Sequence, residues 1–205
     1  MKGPFVVRFD ASSCSGCKAC QAACKDHNGL GPALLWRRVY EISGGGWVKA
    51  GEAWTQDVFA WTLSLSCNHC EKPICAEGCP TGAIHRRPDG VVLLDSERCM
   101  GCHYCEWACP YGAPRFDDER GVMTKCTLCS DRLEEGLAPS CVTACPMRAL
   151  DFVTREEMDG RPGEAAGFPL PDPGLTEPSL RITPHPSAAR SAGEGSVANR
   201  EEVEP

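Results

Sequence analysis

The sequence predicts an α+β fold of short strands and short helices, followed by a long extended C-terminal tail. Sixteen cysteines in 205 residues form four runs of four, whereas aromatic residues make up only 7% of the chain. Apolar stretches with strand-type alternation are short and end at turn residues. From about residue 160 the composition shifts to Pro, Gly, Ser and Ala. A core this poor in large apolar groups needs additional cross-links for its stability.

All four cysteine runs end in a Cys-x₃-Cys step, and no cysteine lies outside them. The third run with Pro110 reproduces the C-x₂-C-x₂-C-x₃-C-P signature of bacterial ferredoxins, and the first run repeats its spacing. A loop of this kind wraps three corners of a [4Fe-4S] cluster, and a distant cysteine supplies the fourth ligand. The pattern therefore predicts an electron carrier. The runs are Cys14-x₂-Cys17-x₂-Cys20-x₃-Cys24, Cys67-x₂-Cys70-x₄-Cys75-x₃-Cys79, Cys99-x₂-Cys102-x₂-Cys105-x₃-Cys109 and Cys126-x₂-Cys129-x₁₁-Cys141-x₃-Cys145.

Strands and one helix are predicted around the first run. Phe5–Asp10 contains β-branched residues and leads into the run as a short strand. Residues 17–28 have the length of one short helix before a glycine. The cysteine-free insertion, residues 35–66, contains strand-type stretches at 36–42 and 58–65.

A hairpin is predicted between the second and third runs. Thr81–Arg86 and Val91–Asp95 flank the turn residues Pro88-Asp89-Gly90. Together with the two runs, this hairpin makes a unit at residues 67–114 that has the size of a two-cluster ferredoxin core. We expect this unit to fold as one compact half of the protein.

The end of the chain is predicted to close the fold and then to leave it. Residues 132–136 read as a helical turn inside the long gap of the fourth run, and residues 149–153 as a closing strand. Residues 160–205 contain few large apolar groups, so we expect an extended tail without a core of its own. Such a tail is either disordered or lies along a partner subunit.

Charge and composition exclude several function classes. The formal charge is −7, and four clusters with their thiolates, at about −2 each, bring it to about −15. A charge of this sign argues against nucleic acid as a partner. The N-terminal apolar run is too short for a signal peptide, and no stretch approaches the length of a membrane span. The turn glycines beside the cysteines are expected to expose N–H donors to sulfur; they are Gly16, Gly78, Gly82 and Gly101.

Two other uses of the cysteines compete with iron–sulfur clusters. Eight disulfides are disfavoured because C-x₂-C pairs bridge poorly and no signal sends the chain to an oxidising compartment. Zinc is the stronger alternative, since the outer pairs of the second and fourth runs could form Cys₄ sites. The third closely spaced cysteine of the first and third runs favours clusters over zinc.

Several other residues near the runs have two interpretations. Histidines could be Rieske-type ligands, but every cluster already has four cysteines, which favours a structural role. Arginine pairs could tune cluster potentials or dock a partner, or could form solvated hairpin faces. Tryptophans are better explained by core or interface packing than by electron relay. These residues are His69, His85, His103, Arg37-Arg38, Arg86-Arg87, Trp36, Trp47, Trp54, Trp61 and Trp107.

No arrangement for substrate chemistry is found in the sequence. Acidic residues and histidines form no paired catalytic motif, and neither a dinucleotide-binding nor a phosphate-binding glycine loop occurs. We expect no catalytic residue, and thus a chain that is not an enzyme on its own.

The chain resembles the four-cluster iron–sulfur subunits of the dimethyl sulfoxide reductase type, which serve molybdopterin oxidoreductases. The resemblance covers residue 5 to at least residue 186. It rests on the order and spacing of the four runs and on three stretches, Cys67-Asn68-His69-Cys70, Cys109-Pro110-Tyr111-Gly112-Ala113-Pro114 and Met123-Thr124-Lys125-Cys126. The resemblance implies four [4Fe-4S] clusters in two interlocked ferredoxin-like units.

The resemblance also implies which cysteines share a cluster. The fourth cysteine of each run crosses to the neighbouring cluster within a half. Relatives with tryptophan in place of Cys102 carry a three-iron cluster, so its presence implies four iron atoms there. The implied sets are Cys14, Cys17, Cys20 and Cys145 (cluster 1); Cys67, Cys70, Cys75 and Cys109 (cluster 2); Cys79, Cys99, Cys102 and Cys105 (cluster 3); and Cys24, Cys126, Cys129 and Cys141 (cluster 4).

The implied organisation has two halves and two additions. Residues 5–34 with 115–155 form the first half, and residues 67–114 form the second. Residues 35–66 are the strand insertion, and residues 160–205 are the tail. Basic residues beside the ligands are candidates for tuning the cluster potentials, namely Lys18, Lys25, Arg98 and Lys125.

The implied function is an electron relay in anaerobic respiration. A quinol-oxidising membrane anchor subunit delivers electrons, and a molybdopterin-containing catalytic subunit receives them. The complex is peripheral on the cytoplasmic membrane, on the extracytoplasmic face through a partner's twin-arginine signal or on the cytoplasmic face. The same relay in a polysulfide or thiosulfate reductase or a formate dehydrogenase, and a free-standing soluble polyferredoxin, are the alternatives.

Overall fold

A computed structural model of the protein describes residues 4–158 and 163–203, and in these residues it has twelve short strands and eight short α-helices. The α+β class is confirmed. The strands are β1 Phe5–Asp10, β2 Arg38–Gly44, β3 Trp47–Ala50, β4 Ala53–Gln56, β5 Phe59–Leu65, β6 Ile84–Arg86, β7 Val92–Leu94, β8 Arg115–Asp117, β9 Val122–Thr124, β10 Leu150–Thr154, β11 Leu180–Thr183 and β12 Ser196–Val197. The helices are α1 Ala19–Asn28, α2 Ile74–Glu77, α3 Tyr104–Ala108, α4 Ser130–Glu134, α5 Ser140–Thr143, α6 Arg155–Met158, α7 Ala188–Glu194 and α8 Arg200–Val203.

The first sheet joins the two ends of the chain. Strand β1 lies in its centre, with β10 antiparallel on one side and β11 parallel on the other. Phe9 is fully buried and pairs with Leu150 in β10 and with Ile182 in β11. The predicted strands at 5–10 and 149–153 are confirmed, because their alternating apolar residues face a common core.

The second sheet carries the cysteine-free insertion. Strands β2 and β5 pair antiparallel over seven residues, and β12 extends the sheet from the other side of β2. Ile42 and Leu63 are almost completely buried between this sheet and the rest of the core. The two predicted strands of residues 35–66 are confirmed, with the first beginning at Arg38 rather than at residue 36.

Three two-stranded hairpins complete the sheet structure of the described residues. The predicted hairpin β6–β7 is confirmed, with Ile84 opposite Leu94. The hairpins β3–β4 and β8–β9 were not predicted. The first is exposed along both strands, so its residues show no burial pattern, and the second has strands of only three residues.

The helices are short because they only lead out of the cysteine loops. The predicted helix of the first run is confirmed as α1, which begins at Ala19 and ends before Gly29, whose left-handed backbone makes the helix C-cap. The helical turn predicted at 132–136 is α4, which begins two residues earlier. Helix α5 in the same run was missed, since its four residues are too few for a periodic signal.

The tail differs from the expectation of an extended segment away from the core. Its residues 160–162 and 204–205 lie outside the described residues. Leu180 and Ile182 are buried beside β1, and Val203 is fully buried in the same core cluster. The Oγ of Ser191 accepts a hydrogen bond from Trp61 Nε1 at 2.7 Å. The described tail therefore packs on the core built by the rest of the protein, and these few apolar residues replace a core of its own.

None of the helices in the described residues is long and apolar enough to cross a membrane.

The tail strand is expected to contribute to stability through its core-facing residues. Ile182→Ala removes buried methyl groups beside Phe9 and should lower the free energy of unfolding by about 2–5 kcal/mol. Arg181→Ala is the control, because Arg181 is only partly buried and its guanidinium bonds to the carbonyl of the preceding residue. Thermal unfolding followed by circular dichroism would contradict the tail packing if both variants melted at the same temperature.

Candidate metal centres

The first and third cysteine runs fold into loops of the same backbone shape. Gly16 and Gly101 have φ values of 70°, a left-handed conformation that favours glycine. A Cβ at Gly101 would lie 2.6 Å from the carbonyl oxygen of Gly121, so this position also lacks space for a side chain. Lys18 and His103 then take left-handed backbone angles at the N-caps of α1 and α3. The repeated spacing thus gives two equivalent loops, each followed by a helix.

Cysteines from the first and fourth runs meet in two places. One cavity is lined by Cys14, Cys17, Cys20 and Cys145 together with Phe9, Val39, Ser64 and Leu150. A second cavity is lined by Cys24, Cys126, Cys129 and Cys141 together with Trp36 and Arg37. Helix α1 connects them, since it carries Cys20 and Cys24 one turn apart.

Cysteines from the second and third runs form the other two groups. A third cavity is lined by Cys79, Cys99, Cys102 and Cys105, with Ile84 and Met123 from the hairpins. The remaining thiols belong to Cys67, Cys70, Cys75 and Cys109. Burial, followed by the proximity of Cys67, Cys109 and Cys70, raises the pKa of Cys75 to about 12. The four groups contain the same residues as the four sets implied by the resemblance.

Burial keeps many of these thiols protonated when they are free. Desolvation raises the pKa of Cys24 and of Cys70 to about 12, and the pKa of Cys105 to about 11. A thiolate in these positions therefore needs a positive partner, and metal binding would release the protons.

Backbone amides point at several sulfur atoms. The N–H of Leu128 donates to Cys126 Sγ at 3.4 Å, and that of Met123 donates to Cys99 Sγ at 3.4 Å. The N–H of Ala113 donates to Cys109 Sγ at 3.5 Å. Such donors stabilise negative charge on sulfur.

Asparagine and serine side chains also reach sulfur, and the sequence did not identify them. Asn28 Nδ2 donates to Cys24 Sγ at 3.8 Å, and Ser64 Oγ lies 3.4 Å from Cys20 Sγ. The spacing of Asn28 and Cys24 by four residues on a helix was an available signal. Ser64 comes from a distant strand and had none.

The residues fit [4Fe-4S] clusters. In the part of the chain described, no three Cys, His, Asp or Glu side chains converge enough to hold a single metal ion. The cysteines instead surround cavities, and soft sulfur donors with N–H groups aimed at them suit iron–sulfur clusters. Arg37 and Lys125 are 3% and 2% exposed, and a buried cation needs nearby negative charge. Clusters held by thiolates would supply that charge.

The four predicted tuning residues differ in their surroundings. Lys18 is partly exposed and forms ion pairs with Glu41 and Glu202. Lys25 Nζ donates to three backbone carbonyls, and Arg98 donates to the carbonyl of Thr81 at 2.9 Å. Lys125 is buried and donates to the carbonyls of Val92 and Cys126. Lys125 is therefore the strongest of the four candidates.

The histidines have partners that explain them structurally. His69 is buried, its Nδ1 accepts a hydrogen bond from the N–H of Val92 at 3.0 Å, and burial holds its pKa well below the usual value. The Nδ1 of His103 lies 2.8 Å from a carboxylate oxygen of Glu106. His85 is exposed.

The arginine pairs separate into a surface pair and a buried pair. Arg86 and Arg87 make ion pairs with Glu71, Asp89 and Glu134. Arg37 and Arg38 are buried, so the expectation of a solvated hairpin face is wrong for them. The alternation of side chains at the start of β2 turns these two arginines to opposite sides.

Only one of the five tryptophans is a core residue. Trp61 is 7% exposed, Trp36 is partly buried and bonds to Thr124, and the other three are exposed. Core packing is therefore wrong for Trp47, Trp54 and Trp107, for which interface packing remains the prediction.

Comparison with known proteins agrees with this geometry. The family model described as a 4Fe-4S dicluster domain matches residues 58–155. The iron–sulfur subunit of the anaerobic dimethyl sulfoxide reductase of Escherichia coli K12 is 48% identical over 198 residues, which cover 95% of this chain and 96% of that protein. The protein is a member of the family of dimethyl sulfoxide reductase iron–sulfur subunits. The corresponding subunit of Haemophilus influenzae is 46% identical over 95% of this chain and 97% of that protein. The iron–sulfur subunit of the sulfite dehydrogenase of Allochromatium vinosum is 40% identical, with coverages of 88% and 82%.

Membership of this family identifies the role of the cysteines. The chain is an iron–sulfur electron-transfer subunit of a multi-subunit oxidoreductase, and its cofactors are [4Fe-4S] clusters, for which sixteen cysteines supply four sets of ligands.

Neutralising Lys125 is expected to lower a cluster potential. Lys125→Gln removes a buried positive charge beside Cys126 and should lower the potential of the cluster bound there, because a cation favours the reduced state. Lys18→Gln is the matched control and should cause a smaller change, since Lys18 is already paired with two carboxylates. A redox titration followed by electron paramagnetic resonance measures both, and equal shifts would contradict the burial argument.

Proposed function

We propose that the chain relays single electrons from a quinol-oxidising membrane anchor subunit to a molybdopterin-containing catalytic subunit that reduces dimethyl sulfoxide. The observation that carries this proposal is the arrangement of four groups of four cysteines in one member of the dimethyl sulfoxide reductase iron–sulfur subunit family. When bound, a [4Fe-4S] cluster accepts and releases one electron at a time. The chain itself supplies no catalytic residue in this proposal.

The proposed ligand sets follow the four groups. Cys14, Cys17, Cys20 and Cys145 hold cluster 1, and Cys24, Cys126, Cys129 and Cys141 hold cluster 4. Cys67, Cys70, Cys75 and Cys109 hold cluster 2, and Cys79, Cys99, Cys102 and Cys105 hold cluster 3. The three lined cavities and the mutual proximity of the remaining four thiols support these sets.

The sets form a continuous path through the protein. Helix α1 links cluster 1 to cluster 4 through Cys20 and Cys24. Cys126 of cluster 4 and Cys67 of cluster 2 belong to one buried group, with Ala113 between the two halves. Cys75 and Cys79, one turn apart at α2, link cluster 2 to cluster 3. An electron that enters at either end therefore passes all four sets in the order 1, 4, 2, 3, or its reverse.

The chain divides, in this proposal, as the ligands do. Residues 5–34 and 115–155 form one ferredoxin-like half, and residues 67–114 form the other. Crossed ligation ties together the two runs of each half. Residues 35–66 supply the second sheet that packs between them, and the tail holds both chain ends against β1.

Dimethyl sulfoxide is the proposed terminal substrate because similarity is higher to the dimethyl sulfoxide reductase subunits, at 48% and 46%, than to the sulfite dehydrogenase subunit, at 40%. We place the complex on the extracytoplasmic face of the cytoplasmic membrane, where the folded chain would arrive with a catalytic partner that carries a twin-arginine signal.

Purification of the native complex tests the proposed function. We expect the chain to copurify with a large molybdenum-containing subunit and a membrane subunit, and the complex to reduce dimethyl sulfoxide with a quinol. Iron analysis of the same sample should give four [4Fe-4S] clusters in this chain. A brown monomer without these partners would instead support a soluble polyferredoxin, and activity only with another acceptor would reassign the substrate.

Cys102 is expected to determine the iron content of cluster 3. Cys102→Ser replaces one thiolate of this set and should convert its cluster from four irons to three, which gives a distinct electron paramagnetic resonance signal in the oxidised state. Ser15→Ala in the loop of the first run is the control and should give no such signal. A three-iron signal in the freshly prepared unmutated protein would contradict the proposed ligand set.

A further inference from the structure

Arg37 is a buried cation at the junction of two cysteine groups. Its side chain lines the cavity of Cys24, Cys126, Cys129 and Cys141. Its backbone N–H also donates a hydrogen bond to the Cys24 thiol. The residue is only 3% exposed, so solvent screens its charge weakly.

A hydrogen-bonded serine connects Arg37 to the other group. Arg37 Nη1 donates to Ser64 Oγ at 3.0 Å, and this hydroxyl lies 3.4 Å from Cys20 Sγ. Ser64 lines the cavity of Cys14, Cys17, Cys20 and Cys145. Arg37 Nη2 donates to Ser66 Oγ at 2.9 Å, which fixes the other arm of the guanidinium. The cation is therefore held between the two groups by strand β5 and the residue that follows it.

The charge of Arg37 has no carboxylate to balance it among the partners described. Its hydrogen bonds go to Ser64 Oγ and carbonyl oxygen and to Ser66 Oγ, and its Nε has no partner in the described residues. A buried guanidinium with neutral partners alone is costly. Burial lowers the pKa of Arg37, but the sulfur groups of Cys141, Cys20, Cys126 and Cys24 outweigh it and raise the pKa. Negative charge in both groups is thus what stabilises this arginine.

We propose that Arg37 is a shared electrostatic residue that raises the reduction potentials of clusters 1 and 4 together. The inference rests on the proposed ligand sets. Reduction adds one electron to each cluster and makes its total charge one unit more negative. A fixed cation between them favours this state in both and keeps their potentials close to each other.

Arg38 supplies a matched control. It is the next residue, it is equally buried, and it carries the same charge. Its guanidinium donates to the carbonyl of Tyr111 at 2.7 Å and lies over the ring of Tyr40 at 5.5 Å. The charge of Arg38 acts on Cys109, in the set proposed for cluster 2. Neutralising Arg38 should therefore affect cluster 2 and leave clusters 1 and 4 nearly unchanged.

The test is a redox titration of the holoprotein with dithionite, followed by electron paramagnetic resonance. Cysteine-to-serine variants of each set first assign the four signals. Arg37→Gln is expected to shift the one-electron equilibria of clusters 1 and 4 at least tenfold towards the oxidised state, or about 59 mV each. Arg38→Gln should not produce this paired shift. Unchanged potentials in an Arg37→Gln protein with normal iron content, or equal shifts of all four clusters, would overturn the inference.

A second variant keeps the test decisive if Arg37→Gln does not assemble clusters. Arg37→Lys retains the charge but moves it on a shorter side chain that cannot span both serines. The potentials of clusters 1 and 4 should then move in opposite directions or by different amounts. Identical potentials in Arg37→Lys and the unmutated protein would overturn the inference. Failure of the proposed relay would show differently, as a missing partner or a low iron content in the unmutated protein.

Discussion

The packing of this protein depends on cysteine side chains that face one another from distant parts of the chain. Cys20, Cys141 and Cys145 belong to the main hydrophobic cluster, although 121 residues separate the first two in the sequence. Apolar contacts among short strands and four-residue helices offer little stabilisation to hold such segments together. Bonds to a common cluster would supply this stabilisation, because ligands are brought together only in the folded chain.

The same constraint explains the polar interior. Each proposed cluster with its thiolates carries about two negative charges, in a protein whose formal charge is already −7. The fold balances this with amide N–H groups directed at sulfur and with the buried cations Arg37, Arg38 and Lys125. These cations would be destabilising in an apolar core of ordinary composition. Next to clusters they would control where an electron resides.

The strands and the cysteine-loop helices were predictable, whereas several other features were not. β1, β5 and the hairpin β6–β7 have local patterns of alternation and turn residues, so their positions were predicted within one or two residues at most ends. The exposed hairpin β3–β4 has no buried face and gave no such pattern. In the tail, Leu180, Ile182 and Val203 are too few to predict packing, because burial there depends on a sheet formed near the N-terminus.

By itself, the sequence determined the kind of cofactor, the loop geometry and the number of ligands, because the spacing of cysteines and glycines acts over only a few residues. Only the tertiary structure decided which groups surround the sulfur atoms. Ser64, Arg37 and Lys125 reach the cysteines from strands and turns that are distant in sequence, and nothing in the spacing of the runs encodes this approach. Burial of charge is a property of the assembled fold, so it could be read only from the packed structure.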